Sequence, residues 1–117
     1  MTPMAFFVYG LIEKGFNVKI HDPQASEQGF KFEMEMQGFD IGWRQNYTFC
    51  GSDYDAAVID SNAIIIGTEW DEYQTTNYRN IRDKMNKDRA LLFDFRSIID
   101  MESVKHVGFE KVFKLGN

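Results

Sequence analysis

Two stretches constrain this chain more than any others: "NAIIIG" (Asn62 to Gly67) and "ALLFDF" (Ala90 to Phe95). Each is a short apolar run with almost no polar interruption, bounded by turn residues. A strand with one wet face alternates apolar and polar positions, whereas a strand covered on both faces does not. The two runs therefore ask for a parallel sheet with helices on both sides.

The segments around them fit that demand. Thr2-Pro3 reads as a helix start, with Thr as N-cap and Pro at the first helical position. A helix is predicted over Ala5 to Lys14, ended by Gly15. "FNVKIH" (Phe16 to His21) reads as a strand closed by Asp22-Pro23. In "FKFEMEM" two periods compete. Strict alternation of Phe30, Phe32, Met34 and Met36 suits a strand. Ser26 as N-cap, the Glu and Met content and the Phe30/Met34 spacing favour a helix over about 26–36. "YTFC" (Tyr47 to Cys50) is a short strand, and Ser52 or Asp53 caps a short helix through Ile59. After "NAIIIG" comes a helix over Tyr78 to Met85, with Tyr78, Ile81, Arg82 and Met85 along one side. A helix over Asp100 to His106 ends at Gly108, and "FEKVFKL" (Phe109 to Leu115) alternates as an edge strand does.

Helices alternating with strands predict an α/β fold: a Rossmann-like three-layer sandwich with a mostly parallel sheet and right-handed crossovers. The chain opens on a helix, however. In the common doubly wound order the first strand is central, with strands two and three on one side and the rest on the other. The expectation is one domain over residues 1–117, N-terminally truncated, with its first, central strand missing.

Bulk properties narrow the function. A chain of 117 residues is one domain's worth, burying about 65% of its unfolded surface. Thirteen basic against eighteen acidic residues leave a net charge of −5. That argues against nucleic acid as a partner, which needs clustered Lys and Arg, and against an anionic membrane surface. No apolar run reaches the roughly 20 residues of a membrane span. The apolar stretch Met4 to Ile12 has no basic segment before it, so no signal peptide is expected. A single cysteine, Cys50, excludes an internal disulfide and a cysteine-rich metal site. The two histidines, His21 and His106, lack ligand spacing, and no metal site is expected. A reducing, cytoplasmic setting is the expectation.

Ligands of open parallel sheets bind beyond the carboxyl ends of the strands. The candidates are His21 to Pro23, Gly51 to Asp53, Gly67 to Tyr73 and Asp94 to Ser97. The third, "GTEWDEY", delivers Glu69, Asp71 and Glu72 around Trp70, and its carboxylates repel phosphate. Glu69 reads first as a capping or structural carboxylate. Arg96 directly follows a buried strand, and its guanidinium fork matches phosphate. Pairing with Asp94 or another nearby carboxylate fits it equally well. No G-x-G-x-x-G is present, so the chain is not a self-sufficient dinucleotide-binding domain of that type. No Ser/His/Asp or Cys/His set presents itself, and Cys50 reads as a small core residue rather than a nucleophile. No catalytic residue is assigned.

Taken in order, "SNAIIIGTEWDEY", "NYRNIRDKM", "LLFDFRSIID" and "GFEKVFKLG" resemble the C-terminal domain of the UDP-glucose/GDP-mannose dehydrogenases, nearest by pattern to the UDP-glucose 6-dehydrogenases. Upstream, "TPM…LIEKGFNVKIHDP" is similar to that domain's first helix and second strand. The resemblance covers Thr2 to Gly116 and is thinnest over 24–46. It implies a fold, a substrate and partners. Such enzymes oxidise the C6 alcohol of a nucleotide sugar to a carboxylate with two NAD⁺, through a thiohemiacetal and a thioester on a cysteine. The NAD site and that cysteine lie in N-terminal and central domains that are not in this sequence. No cofactor is expected on this chain, with NAD serving the full-length enzyme, and the chain alone is expected to be inactive. The C-terminal domain holds the UDP part of the sugar nucleotide, often near a subunit contact, and a homo-oligomer is implied. The arginine of Asp-x-Arg that reaches the nucleotide sugar corresponds to Arg96. Thr68, Glu69, Trp70 and Asp71 correspond to a loop that shapes the interdomain cleft. Two positions depart from the pattern: Phe95 stands where the family has glycine, and Ser97 where it has Asn or Arg. Two other readings stay open, a stand-alone, non-catalytic α/β module for assembly or regulation and an unrelated flavodoxin-like binding domain.

Overall fold

The computed structural model describes residues 4–39, 46–68 and 70–114. They form two compact units, divided between Ala57 and Val58.

In the first unit, helix α1 (Met4–Glu13) precedes strand β1 (Val18–His21), helix α2 (Glu27–Met36) and strand β2 (Tyr47–Gly51). The expected cap at Thr2-Pro3 lies outside the described residues. The end of α1 follows its sequence: Gly15 takes φ +86, Gly15 N–H donates to Ile12 O and Phe16 N–H to Leu11 O. This double bond pattern needs a left-handed residue, which glycine supplies without a Cβ clash. At the other end of the unit, Asn46 Nδ2 donates to Ile12 O at 3.0 Å and Phe16 O at 2.8 Å. It thereby ties the α1 terminus to the start of β2.

The contest over residues 26–36 goes to the helix. Ser26 Oγ accepts from Gly29 N–H at 3.0 Å. Helical spacing turns Met34 inward until it is fully buried, with Phe30 packed on the same cluster. The alternation then leaves its mark as exposure: Phe32 is 64% and Met36 69% exposed. Ile12 and Met34 form the centre of this unit, with Val8, Tyr9, Val18, Phe39 and Tyr47 around them. Tyr9 stacks on Phe39 at 4.3 Å. Strands β1 and β2 are parallel. Their register slips so that Ile20 faces Phe49 and His21 faces Gly51. Cys50 is the extra residue of this bulge, and Gly51 beside it takes φ +59.

The second unit begins at Val58, the last residue of helix α3 (Tyr54–Val58). Asp53 caps α3, its Oδ1 accepting from Ala56 N–H at 3.1 Å. Strand β3 (Ala63–Ile66), helices α4 (Glu72–Thr75) and α5 (Tyr78–Lys84), strand β4 (Leu91–Asp94), helix α6 (Met101–Val104) and strand β5 (Lys111–Lys114) follow. The sequence did not announce α4. It is a single turn, and Asp71 at its start makes no side-chain cap. Asn77 and Asp100 do cap α5 and α6. The three strands are parallel in the order β3-β4-β5, with Ile64, Leu92 and Val112 in one row and Ile65, Phe93 and Phe113 in the next. Leu92 and Asp94 turn to the covered face and are fully buried. The core residues of this unit include Ile66, Tyr78, Ile81, Met85, Ala90, Ile99 and Val104.

The fold is α/β, with parallel sheets of two and three strands. A single mostly parallel sheet was expected; the pairing resolves it into β1-β2 and β3-β4-β5.

Candidate functional site

In the second unit β3 and β4 run side by side, Ile66 level with Asp94. Phe95 N–H extends the ladder by one bond, donating to Ile66 O at 3.0 Å. The chain segments that leave these strands, Gly67 onward and Phe95 onward, therefore start as neighbours at the carboxyl end of the sheet. This is where open parallel sheets bind ligands. The structure thus brings together the beginnings of the two motifs singled out from sequence, Thr-Glu-Trp-Asp and Asp-x-Arg.

The second of them is organised by Asp94. Its carboxylate is fully buried. Oδ1 accepts from Arg96 N–H at 3.1 Å and Oδ2 from Ile99 N–H at 2.8 Å. One side chain thus fastens both the start and the far end of the turn 95–98. The turn is tight: Ser97 adopts φ +58. That region is disfavoured for residues with a Cβ and is best tolerated, after glycine, by Asn and Asp. Arg96 sits on this turn and is exposed. Phe95 is half-buried, its ring edge-on to Phe93 at 6.1 Å. Phe93 in turn stacks on Phe113 at 4.8 Å. The ring of Phe95 thus joins an aromatic row along the sheet.

In the first motif Thr68 and Trp70 are half-buried and Asp71 is exposed. Glu69 lies outside the described residues. The Trp70 indole N–H is buried without a hydrogen-bond partner among the described residues. Beyond it the chain is held locally: Tyr73 N–H donates to Trp70 O at 3.0 Å, and the Tyr78 hydroxyl donates to Tyr73 O.

The ends of the first unit's strands are shaped by local turns. Asp22 Oδ1 accepts from Gln24 and Ala25 N–H, which closes β1. His21 stacks on Tyr54 at 4.0 Å. Cys50 is half-buried in its bulge, and burial pushes its thiol up, against an opposing pull from Lys19. A protonated thiol is a poor nucleophile; Cys50 is half-buried in the bulge rather than part of the core expected for it. No group of three metal-ligating side chains occurs among the described residues. No helix among them is long and apolar enough to cross a membrane.

Sequence reasoning missed two structural polar residues of the second unit. Asp94 entered as the first residue of a candidate strand end and a possible partner for Arg96, not as the buried anchor of the turn, although it stands two places after Leu92 and shares its face. Arg82 entered as part of a helix side. Its guanidinium instead donates to Gly108 O at 2.8 Å and Asn86 O at 3.2 Å.

Comparison with known proteins supplies the family. Residues 2–101 match the UDP-glucose/GDP-mannose dehydrogenase family, UDP binding domain. The chain is similar to UDP-glucose 6-dehydrogenase 1 of Glycine max, 31% identical across 92% of this chain and 24% of the relative. It is 30% identical to UDP-glucose 6-dehydrogenase 4 of Oryza sativa subsp. japonica and to UDP-glucose 6-dehydrogenase 2 of Arabidopsis thaliana, with the same coverage. It spans about a quarter of the length of these curated relatives. A match over most of the chain, with the Asp-x-Arg and Thr-Glu-Trp-Asp segments starting together at the sheet's carboxyl end, places this chain in the UDP-glucose/GDP-mannose dehydrogenase family, in its UDP-binding domain.

Proposed function

We propose that this chain binds the UDP portion of a nucleotide sugar for an NAD-dependent dehydrogenase of the UDP-glucose 6-dehydrogenase type. The observation that carries the reading is the turn 95–98: it stands at a sheet's carboxyl end, is fastened by Asp94 and bears the exposed Arg96. A guanidinium there offers paired donors to a diphosphate. The names of the similar plant proteins supply the substrate class. Thr68, Glu69, Trp70 and Asp71 belong to the loop facing the cleft between this domain and the rest of the enzyme. An orphaned indole donor in that loop suits a contact that another domain or the ligand completes. The 117 residues act as one domain, since both their number and the family match are those of a single domain. In the cell the domain works in the cytoplasm and within a homo-oligomer.

NAD does not fit this chain. The described glycines with positive φ stand at Gly15, Gly38, Gly51 and Gly108. Gly15 and Gly38 follow helices, Gly51 sits in the bulge of β2 and Gly108 precedes β5. None belongs to a G-x-G-x-x-G turn leading from a strand into a helix. The oxidation of the sugar therefore belongs to other parts of the enzyme, and the role left to these residues is to bind and orient the nucleotide.

The test is calorimetric titration of the purified chain with UDP, beside Arg96→Ala. Binding is expected, weakened about 10- to 100-fold by the substitution, the range for losing hydrogen bonds to a charged group. The same chain given UDP-glucose and NAD⁺ is expected to produce no NADH. Absence of UDP binding, or binding indifferent to Arg96→Ala, overturns the reading and leaves a non-catalytic module for assembly or regulation as the alternative.

A further inference from the structure

We infer that Asp94 is a positioning residue for nucleotide binding, acting through Arg96; this rests on the function proposed above. The carboxylate is fully buried, yet the partners it takes are backbone N–H groups at the two ends of one short turn. Its Oδ1 holds the N–H of Arg96 itself at 3.1 Å, and Oδ2 holds the N–H of Ile99 at 2.8 Å. Between them Ser97 is kept at φ +58, a conformation that a serine in a loose loop rarely occupies. A buried carboxylate is retained where it is hydrogen-bonded. Apolar packing alone would not need an acid beside Leu92. What this acid adds is one fixed backbone path for the turn that carries Arg96. A preorganised side chain loses less freedom when it meets its ligand, and that difference appears in affinity.

The substitution that isolates the role is Asp94→Asn. It preserves shape but leaves one acceptor oxygen, while the new NH₂ group faces a backbone donor. UDP affinity is measured for the wild type, Asp94→Asn, Arg96→Ala and the double variant, each checked as folded by circular dichroism. Asp94→Asn is expected to weaken UDP about tenfold, part of what Arg96→Ala removes. In the Arg96→Ala background the same change is expected to alter affinity less than about twofold, because a positioning residue has nothing left to position. A merely structural role predicts the same tenfold loss in both backgrounds, and that result overturns the inference while leaving the functional reading intact. A wild type that does not bind UDP, or whose binding ignores Arg96→Ala, overturns both together. If Asp94→Asn does not fold, amide hydrogen exchange on the wild-type chain decides. Protection at Arg96 and Ile99 that deepens with UDP supports the role, and exchange at Arg96 unaffected by bound UDP refutes it.

Discussion

Arg82 offers a stringent test of how the second unit is held together. It stands in α5, and its guanidinium reaches two chain segments. Nε donates to Gly108 O at 2.8 Å, while Nη1 donates to Asn86 O at 3.2 Å and Nη2 to Lys87 O at 3.4 Å. The side-chain stem also lies against Gly108. The bond to Gly108 is short but exposed, so it contributes about 0.5 kcal/mol net. That to Asn86 is partly buried and charge-assisted, which raises it to about 1–1.5 kcal/mol. The one to Lys87 is at the edge of hydrogen-bond geometry and adds little. Arg82→Ala is therefore expected to lower unfolding free energy by about 2 kcal/mol. Arg82→Lys keeps the charge but not the fork, so a single ammonium reaches one segment and about half of the loss remains. Urea unfolding followed by circular dichroism measures both, with equal m-values required before the midpoints are compared. A loss below about 0.5 kcal/mol for Arg82→Ala would show that the carbonyls are equally well satisfied by water. A Lys variant as stable as the wild type would show that charge, not planar geometry, is what the site uses.

Three further outcomes follow from particular residues. Ser97 occupies a left-handed conformation, so Ser97→Asn, which tolerates it better, is expected to raise stability by about 0.5 kcal/mol; a lower thermal midpoint would refute the backbone argument. Burial raises the Cys50 thiol, so the folded chain favours the protonated form. The stabilisation this gives is present below the unfolded pKa and lost as pH rises through the folded one. Alkylation by iodoacetamide at neutral pH is expected to be slower in the folded chain than in urea, with its rise shifted to more alkaline pH, and equal rates would count against it. Finally, among the described residues no strand pairs with the outer edge of β3, whose Ile64, Ile65 and Ile66 are β-branched and apolar. Open edges of this kind recruit strands. Sedimentation equilibrium is expected to show concentration-dependent self-association, and a monomer at all loading concentrations would contradict that expectation.

What the sequence made legible was whatever depends on local chemistry. The caps at Ser26 and Asp53 fall where the sequence puts them, on short polar side chains that precede a helix. The uninterrupted runs "NAIIIG" and "ALLFDF" contain the parallel pair β3 and β4. Legibility failed where a side chain's partner lies far along the chain. Nothing near Arg82 in sequence announces Gly108, and nothing near Asn46 announces Ile12 and Phe16. It failed also for α4, a single turn too short for a periodic signal.

Asp94 shows the more instructive failure. Period-two geometry puts it on the same face as Leu92, and both are fully buried. An acid at such a position contradicts the apolar pattern around it, and a local rule broken inside an otherwise consistent element is where function or a structural polar network is expected. The same logic bears on Phe95 and Ser97. Phe95 keeps its ring against Phe93, so the sheet face absorbs its bulk. Ser97 accepts a left-handed backbone conformation that suits Asn better than serine. The turn around Arg96 is thus constrained on both sides of the arginine: by packing before it and by backbone geometry after it. A buried carboxylate fastens its two ends. Three constraints of different kinds converging on one exposed guanidinium are more than packing requires, and they make Arg96 the residue on which the nucleotide-binding reading stands or falls.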